Sequence, residues 1–240
     1  MTTSKTDQIA STRRVLLATI AACSLGSVPL SSLAQTLTPY PNKGIKFVVP
    51  YSAGGLPDTV ARIFAQRLTE RLGQSVVVDN KPGANGVVAA QVLASSPKDG
   101  YTFLVTDGSM FSINPMIYKN LGYDYKRDFM PVSLAARAPL YLAVHPKVPV
   151  NTLQEFVALA KSKPGTLNYG SSGIGSTHHL TMEAMKTALG LDLTHVPFKG
   201  SGQSVPALIG GQVEGLVSAL PPLSGFVKAG QVKLLATNAG

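Results

Sequence analysis

The residues best suited to chemistry sit in three glycine- and serine-rich stretches. Pro50-Tyr51-Ser52-Ala53-Gly54-Gly55-Leu56-Pro57-Asp58 is the first, and Asn168-Tyr169-Gly170-Ser171-Ser172-Gly173-Ile174-Gly175-Ser176-Thr177-His178 the second. Phe198-Lys199-Gly200-Ser201-Gly202 is the third. Each brings small residues to the start of a predicted helix, where the first backbone N–H groups lack an intrahelical partner and the dipole favours negative charge. Glycine lets a ligand approach the backbone, and serine or threonine adds a hydroxyl donor. Two such loops facing each other would clamp a carboxylate or phosphate without any arginine. The plainer alternative is a set of tight turns with N-caps.

Sharper motifs are absent. There is no G-x-x-x-x-G-K-[ST], and Ile174 stands where a nucleophile elbow at Ser172 needs glycine. Gly173 and Gly175 are followed by His178 where a dinucleotide fingerprint needs its third glycine. His179 and Glu183 share a helix face and could hold a metal, but no third ligand is evident, so capping or packing is the better reading and no metal is assigned. His145 and His195 stand alone at strand ends. Asp58 falls in a first helical turn, where the dipole alone favours an acid, and it could order the Gly54-Gly55 loop. A nucleophilic alternative would pair Ser172 or Ser176 with His178 as base, in an exported serine hydrolase. No motif supplies its orienting group or oxyanion hole.

The elements that must position these loops alternate. Ile45–Val49 reads as a strand and Pro57–Leu72 as a helix with Val60, Ile63, Phe64, Leu68 and Leu72 on its apolar face, ended by Gly73. Strands follow at 75–79 and 101–106, with a small-residue helix at 86–94 between them. The pattern repeats with strands at 141–144, 166–169, 193–198, 213–218 and 233–237. Thr152-Leu153-Gln154-Glu155 is a capping box opening one helix, and 176–189 is another, ended by Gly190. This predicts an α/β fold with largely parallel sheets in two halves, joined through the irregular stretch 124–138, with a cleft between them.

Composition narrows the classes. The chain has 240 residues, 45% hydrophobic and 14% charged, enough to bury a core and too apolar for disorder. A single cysteine excludes a disulfide scaffold, a Cys-based zinc site and an iron–sulfur cluster. The net charge is +9, but the cations are scattered and not interleaved with aromatics, which speaks against nucleic acid. Lys5, Arg13 and Arg14 precede an uncharged apolar run to Leu33, and Ser32-Leu33-Ala34 offers a cleavage site. Residues 1–34 therefore read as a secretory signal peptide. Arg13-Arg14 resembles a twin-arginine signal, and Ile20-Ala21-Ala22-Cys23 a lipoprotein box that would lipidate Cys23. Loss of 1–34 lowers the net charge from +9 to +7.

Read in order, several segments resemble the Bug family of periplasmic solute-binding proteins, receptors of tripartite tricarboxylate-type transporters. They are Tyr40-Pro41, the Pro50–Asp58 loop, Asn80-Lys81-Pro82-Gly83-Ala84, Asp99-Gly100-Tyr101-Thr102, Ile113-Asn114-Pro115, Asp128-Phe129-Met130-Pro131-Val132, Tyr169–Ser176, Pro197-Phe198-Lys199-Gly200 and Gly210-Gly211-Gln212-Val213. The resemblance spans nearly all of 39–240. It implies a type II periplasmic binding protein fold, α/β, with two lobes and a ligand cleft: 35–138 with 233–240 returning to it, and 139–232. It implies small carboxylate ligands, membrane transporter subunits (or a sensor kinase) as partners, a monomer, no cofactor and no covalent chemistry. Carried over by motif, the binding residues are Ser52, Ala53, Gly54, Gly55 and Asp58 on one side, and Ser171, Ser172, Gly173, Ser176, Thr177 and His178 on the other. Thr106, Ser109, Gly200 and Ser201 are further wall positions. The family continues for about half a domain past the strand at 233–237, so the first lobe is expected to lack its closing elements. Ser218-Ala219-Leu220 stands where many relatives carry an acid, which disfavours amino acids as ligands.

Overall fold

A computed structural model describes residues 39–238. The signal-peptide reading of 1–34, with Cys23, lies outside the described residues. Contacts divide the chain after Tyr40, and the fold described below is that of the unit beginning at Pro41.

The first sheet forms around β1 (Ile45–Val49), which buries Ile45, Phe47, Val48 and Val49 and leaves Lys46 outside. Parallel partners flank it: β2 (Val76–Asn80) on one side and β3 (Thr102–Leu104) on the other, in the order β2-β1-β3. Helix α1 (Leu56–Leu72) starts with Pro57 in its first turn and stops at Gly73, whose φ of 64° closes a left-handed C-cap. Its buried stripe is Asp58, Ala61 and Ala65, with Leu68 packed beside them, and Ile63 and Phe64 face outward. The apolar face expected from Val60, Ile63, Phe64, Leu68 and Leu72 is thus turned by roughly a quarter of a turn. Alanines let the helix backbone approach β1 and β2 more closely than bulky side chains would. A 3₁₀ turn at Ala84–Gly86 leads into α2 (Val87–Ala94). After β3 come two single-turn helices, α3 (Ser109–Ser112) and α4 (Asn114–Ile117).

Residues 118–139 contain no helix or strand. Phe129 anchors this stretch edge-on to Phe111 and Tyr123, at centroid distances of 5.7 and 5.5 Å. Beyond it, Met130, Val132 and Leu134 are 84%, 74% and 68% exposed.

The second sheet has five strands in the order β6-β5-β7-β4-β8. They are β4 (Leu140–Val144), β5 (Asn168–Ser171), β6 (Thr194–Pro197), β7 (Gly215–Ala219) and β8 (Lys233–Thr237). β5 runs parallel to β6 and β7, but β4 is antiparallel to β7 and β8. The sheet is therefore mixed where a largely parallel one was expected. Strand period two places Leu142 and Val144 in one core with α5 (Leu153–Ser162) and α6 (Thr177–Leu189). Ala143 enters the opposite core with α7 (Ser201–Ile209) and α8 (Ser224–Lys228).

Residues 233–237 do not return to the first sheet, which corrects the expected lobe assignment of 233–240. Their ladder is to β4, with Val144 opposite Lys233 and Tyr141 opposite Thr237. Leu234 packs with the Ala143 cluster and Leu235 with the Leu142 cluster, so both faces of β8 are committed to this sheet. No helix among the described residues is long and apolar enough to cross a membrane.

Candidate functional site

The loops of interest leave the carboxyl ends of β1, β5 and β6, where open α/β sheets commonly bind ligands. In the first loop Gly54, at φ 86°, donates its N–H to Asp58 Oδ2 at 2.9 Å. Asp58 is 2% exposed and also accepts from Arg62 Nε and Asn80 Nδ2, each at 2.9 Å. Burial pushes its pKa up, but the bonds from Arg62, Gly54 and Asn80 outweigh that and hold it below the ordinary range. Asp58 therefore staples the loop to its own helix, and its carboxylate already occupies the electropositive start of α1. Ser52 donates its backbone N–H to Lys199 O at 2.9 Å, while its Oγ is buried with no partner. Gly200, at φ 131°, packs so tightly that a Cβ there would lie 2.6 Å from Ser52 Oγ.

The second loop satisfies most of its own donors. Gly173 N–H bonds Ser171 Oγ at 3.1 Å, Ser176 N–H bonds Gly173 O at 3.1 Å, and Gly175 N–H bonds His179 Nδ1 at 3.2 Å. Ser176 is the N-cap of α6, accepting from His179 N at 3.2 Å, and Thr177 is the first helical residue. The amides counted on to grip an anion at this helix start are thus largely committed within the loop. Ser172 Oγ lies 2.6 Å from His178 Nδ1 and 3.3 Å from Ser201 Oγ. Burial lowers the His178 pKa to about 4, against an opposing pull from the Asp107 charge, so the ring is neutral near pH 7 and shares one hydrogen bond with Ser172 Oγ. Ser176, facing His179 N, is not paired with His178.

A third region, which the sequence reading passed over as a site, lies at Gly83–Gly86. Asn85, at φ 47°, is 6% exposed. Its Nδ2 donates to Asn114 Oδ1 at 2.8 Å and to Gly175 O at 2.9 Å, and Asn114 Nδ2 returns a bond to Asn85 O at 2.9 Å. Tyr51 OH sits at a hub beside Asn85 Oδ1, Asp107 and Ser109 Oγ, at 3.0–3.4 Å. Burial, then the Asp107 charge, raises the Tyr51 pKa well above its usual value, so its hydroxyl keeps its proton. Asn85-Gly86 was visible in the sequence as a turn dipeptide, but nothing there said what the turn would touch.

These regions line a cleft of about 270 Å³ that is open to solvent on one side. Pro50, Tyr51, Gly83, Ala84, Asn85 and Tyr118 line it from the first sheet's side. Ser172, Gly173, Ile174, Pro197, Phe198 and Lys199 line it from the second. Of the expected binding residues, Ser172 and Gly173 line the cavity. Ser201 touches Ser172 behind it, and Ser109 supports Tyr51. Ala53 and Gly54 are exposed, and Gly55 is buried at the start of α1. Thr106 bonds Met110 Sδ at 3.0 Å. Ser171 Oγ lies 2.6 Å from His195 Nε2. His195 stacks on His179 at 4.1 Å and on Tyr169 at 4.9 Å, so it is not the isolated residue it looked. Burial, then the neighbouring His179, lowers its pKa to about 4. Glu183 pairs with Tyr169 OH and Lys186, not with a metal partner. No group of three potential metal ligands is found among the described residues.

The model of the family described as "Tripartite tricarboxylate transporter family receptor" matches residues 60–239. A UPF0065 protein of Bordetella pertussis is 38% identical over 220 residues, 92% of this chain and 67% of that one. Among solved structures, the R. palustris protein with adipate superposes with a TM-score of 0.82 at 38% identity, covering 84% of this chain and 68% of that one. MatC from Rhodopseudomonas palustris with bound malate superposes at 0.78 and 30% identity, with 84% and 68% covered. The periplasmic binding protein BugD, at 32% identity and a TM-score of 0.78, shares this α/β fold. The chain spans between 61% and 67% of the length of the first four curated relatives it matches.

Proposed function

The chain belongs to the tripartite tricarboxylate transporter receptor family, and on that premise we propose that it is a periplasmic receptor that takes a small organic carboxylate into the cavity between its two sheets. The observation that carries this reading is the cavity, with Lys199 on its wall and no carboxylate paired with Lys199 among the described residues. One unpaired cation beside aromatic and proline walls suits an anion with an apolar body. Ser172 and Tyr118 add hydroxyls to the wall. Two relatives of the fold hold adipate and malate, both dicarboxylates. Closure of the halves over the ligand supplies the surface that membrane transporter subunits, or a sensor kinase, would read. Residues 1–34 would direct export.

A second reading rests on one observation, the 2.6 Å contact of Ser172 Oγ with His178 Nδ1. It has the appearance of a nucleophile and its base. No carboxylate bonds His178 among the described residues to orient it, which leaves the dyad without its third member. A thermal-shift screen of the purified chain against mono-, di- and tricarboxylates and ester substrates divides the two. Stabilisation that saturates at one ligand per chain, without turnover, is expected. Ester turnover abolished by Ser172→Ala would replace the receptor by a hydrolase.

A further inference from the structure

Residues 41–117 build the first sheet and its helices, residues 140–237 the second, and one covalent stretch, 118–139, joins them. Among the described residues only two hydrogen bonds cross from one part to the other. One is Ser52 N–H to Lys199 O, which is backbone to backbone. The other is Asn85 Nδ2 to Gly175 O at 2.9 Å, which depends on a single side chain. Both flank the cavity, since Asn85 and Lys199 are on its wall.

From this geometry we propose that Asn85 is the clasp of the cavity wall: its amide holds the 172–176 loop against the first sheet and keeps Ser172 and Gly173 in place around a ligand. Asn85 is a positioning residue in this account. The significance for ligand binding rests on the cavity being the carboxylate site.

Three features support the assignment. Ala84 and Asn85 both carry positive φ, 44° and 47°, a conformation unfavourable for side-chain-bearing residues and kept only where the surroundings impose it. Asn114 imposes it here, through two reciprocal amide bonds, and Tyr51 OH closes in on Asn85 Oδ1. With one Nδ2 proton spent on Asn114 Oδ1, the other is aimed at Gly175 O, so the amide has no alternative partner to swing toward. The receiving loop is shaped to match. Gly175 adopts φ 78°, and Ile117 of the first part fills the space a Cβ would need, so the loop backbone lies flat against α4. Gly175 N–H in turn bonds His179, and Gly173 O holds Ser176, so the grip on Gly175 fixes Ser172 and Gly173 where they face the cavity.

The test is amide hydrogen exchange on the full chain without added ligand, for wild type, Asn85→Gly and Gly175→Ala. Glycine takes φ 47° freely, so Asn85→Gly keeps the turn and deletes the side-chain amide, whose bonds to Asn114 Oδ1 and Tyr51 OH lie within the first part and whose bond to Gly175 O alone reaches the second. The expected result is about tenfold faster exchange at Gly173, Gly175 and Ser176, the size of one net buried hydrogen bond, with β4 and β7 at wild-type rates. Gly175→Ala strains the receiving loop itself, at a φ of 78° that side-chain-bearing residues rarely adopt, and should accelerate the same amides even if Asn85→Gly fails to fold. Unchanged local exchange, or acceleration spread evenly over both sheets, overturns the clasp. Adipate and malate serve as probes in a second arm, where faster release from Asn85→Gly is expected. If neither probe binds the wild type, the carboxylate reading fails while the exchange data still decide the clasp.

Discussion

Gly202, in the first turn of α7, is the most demanding position at the junction of the two sheets. A methyl built there overlaps the Ala53 carbonyl oxygen outright and lies 2.9 Å from both Ala53 C and Ser52 Oγ. The obstacle is backbone, in a loop that Asp58 and Lys199 hold from two sides, so it cannot turn away as a flexible side chain would. Overpacking of this kind costs roughly 1–3 kcal/mol, and a rigid backbone obstacle places it near the top of that range. Alanine regains about 0.5–1 kcal/mol as the better helix former. The net for Gly202→Ala is a loss of about 2 kcal/mol, or roughly 4–8 °C in Tm for a chain of this size. Gly225 is the matched control: it lies in α8 and a methyl there meets nothing within 4 Å, so Gly225→Ala should gain about 0.5–1 kcal/mol. Differential scanning calorimetry of the two variants gives the comparison. Equal Tm values for both would refute the claim that the Ser52–Gly54 loop is pressed against α7.

Acid should loosen the molecule in a defined window. His178 and His195 have folded pKa values near 4 against an ordinary 6.5, so between those values the unfolded chain takes up protons the folded chain refuses. Their contribution is present in full above pH 6.5 and is lost as pH falls through 4, up to about 3 kcal/mol for His178 and well below that for the partly exposed His195. Urea midpoints measured from pH 7 to pH 4 should fall across that interval, and a flat profile would contradict imidazoles that the fold keeps neutral. Asp58→Asn should cost about 2 kcal/mol, because it removes the charge that Arg62 and the Gly54 amide bond. The loss should shrink as pH drops below the ordinary Asp value of 3.8 and through the lower folded value. A variant as stable as wild type at pH 7 would show that the loop needs no staple.

Much of the local architecture was legible because it depends on near neighbours in sequence. The strands at Ile45–Val49 and Lys233–Thr237 fall where alternation and β-branched residues place them, and Gly73 and Gly190 end helices in left-handed caps. The Thr152 capping bond to Glu155 N forms at 3.1 Å, although Glu155 reaches back to Asn151 N rather than to the cap's own amide. What sequence could not convey was pairing at a distance. The strand at 233–237 was expected to return to the first lobe, and only its ladder to β4 assigns it to the second sheet. The helix face of α1 was misjudged because alanines carry little hydropathy signal yet make the close contact. The second loop looked rich in free donors, but Ser171, Ser176 and His179 consume them locally. Asn85 acts through residues 29 and 90 positions away, and no spacing rule points there.

The bare stretch that follows Phe129 has its own bearing on how the protein behaves in concentrated solution. Met130, Val132 and Leu134 alternate with smaller residues in the manner of a strand, yet no ladder claims them. Such a ribbon invites neighbouring molecules to stack on it edge to edge. Pro131 and Pro139 lack the N–H groups that stacking would use, and Arg137 adds a charge each added layer would have to place beside its twin. Both features oppose edge-to-edge pairing along this stretch. Replacing both prolines with alanine should turn a tolerated exposure into a seed for aggregation.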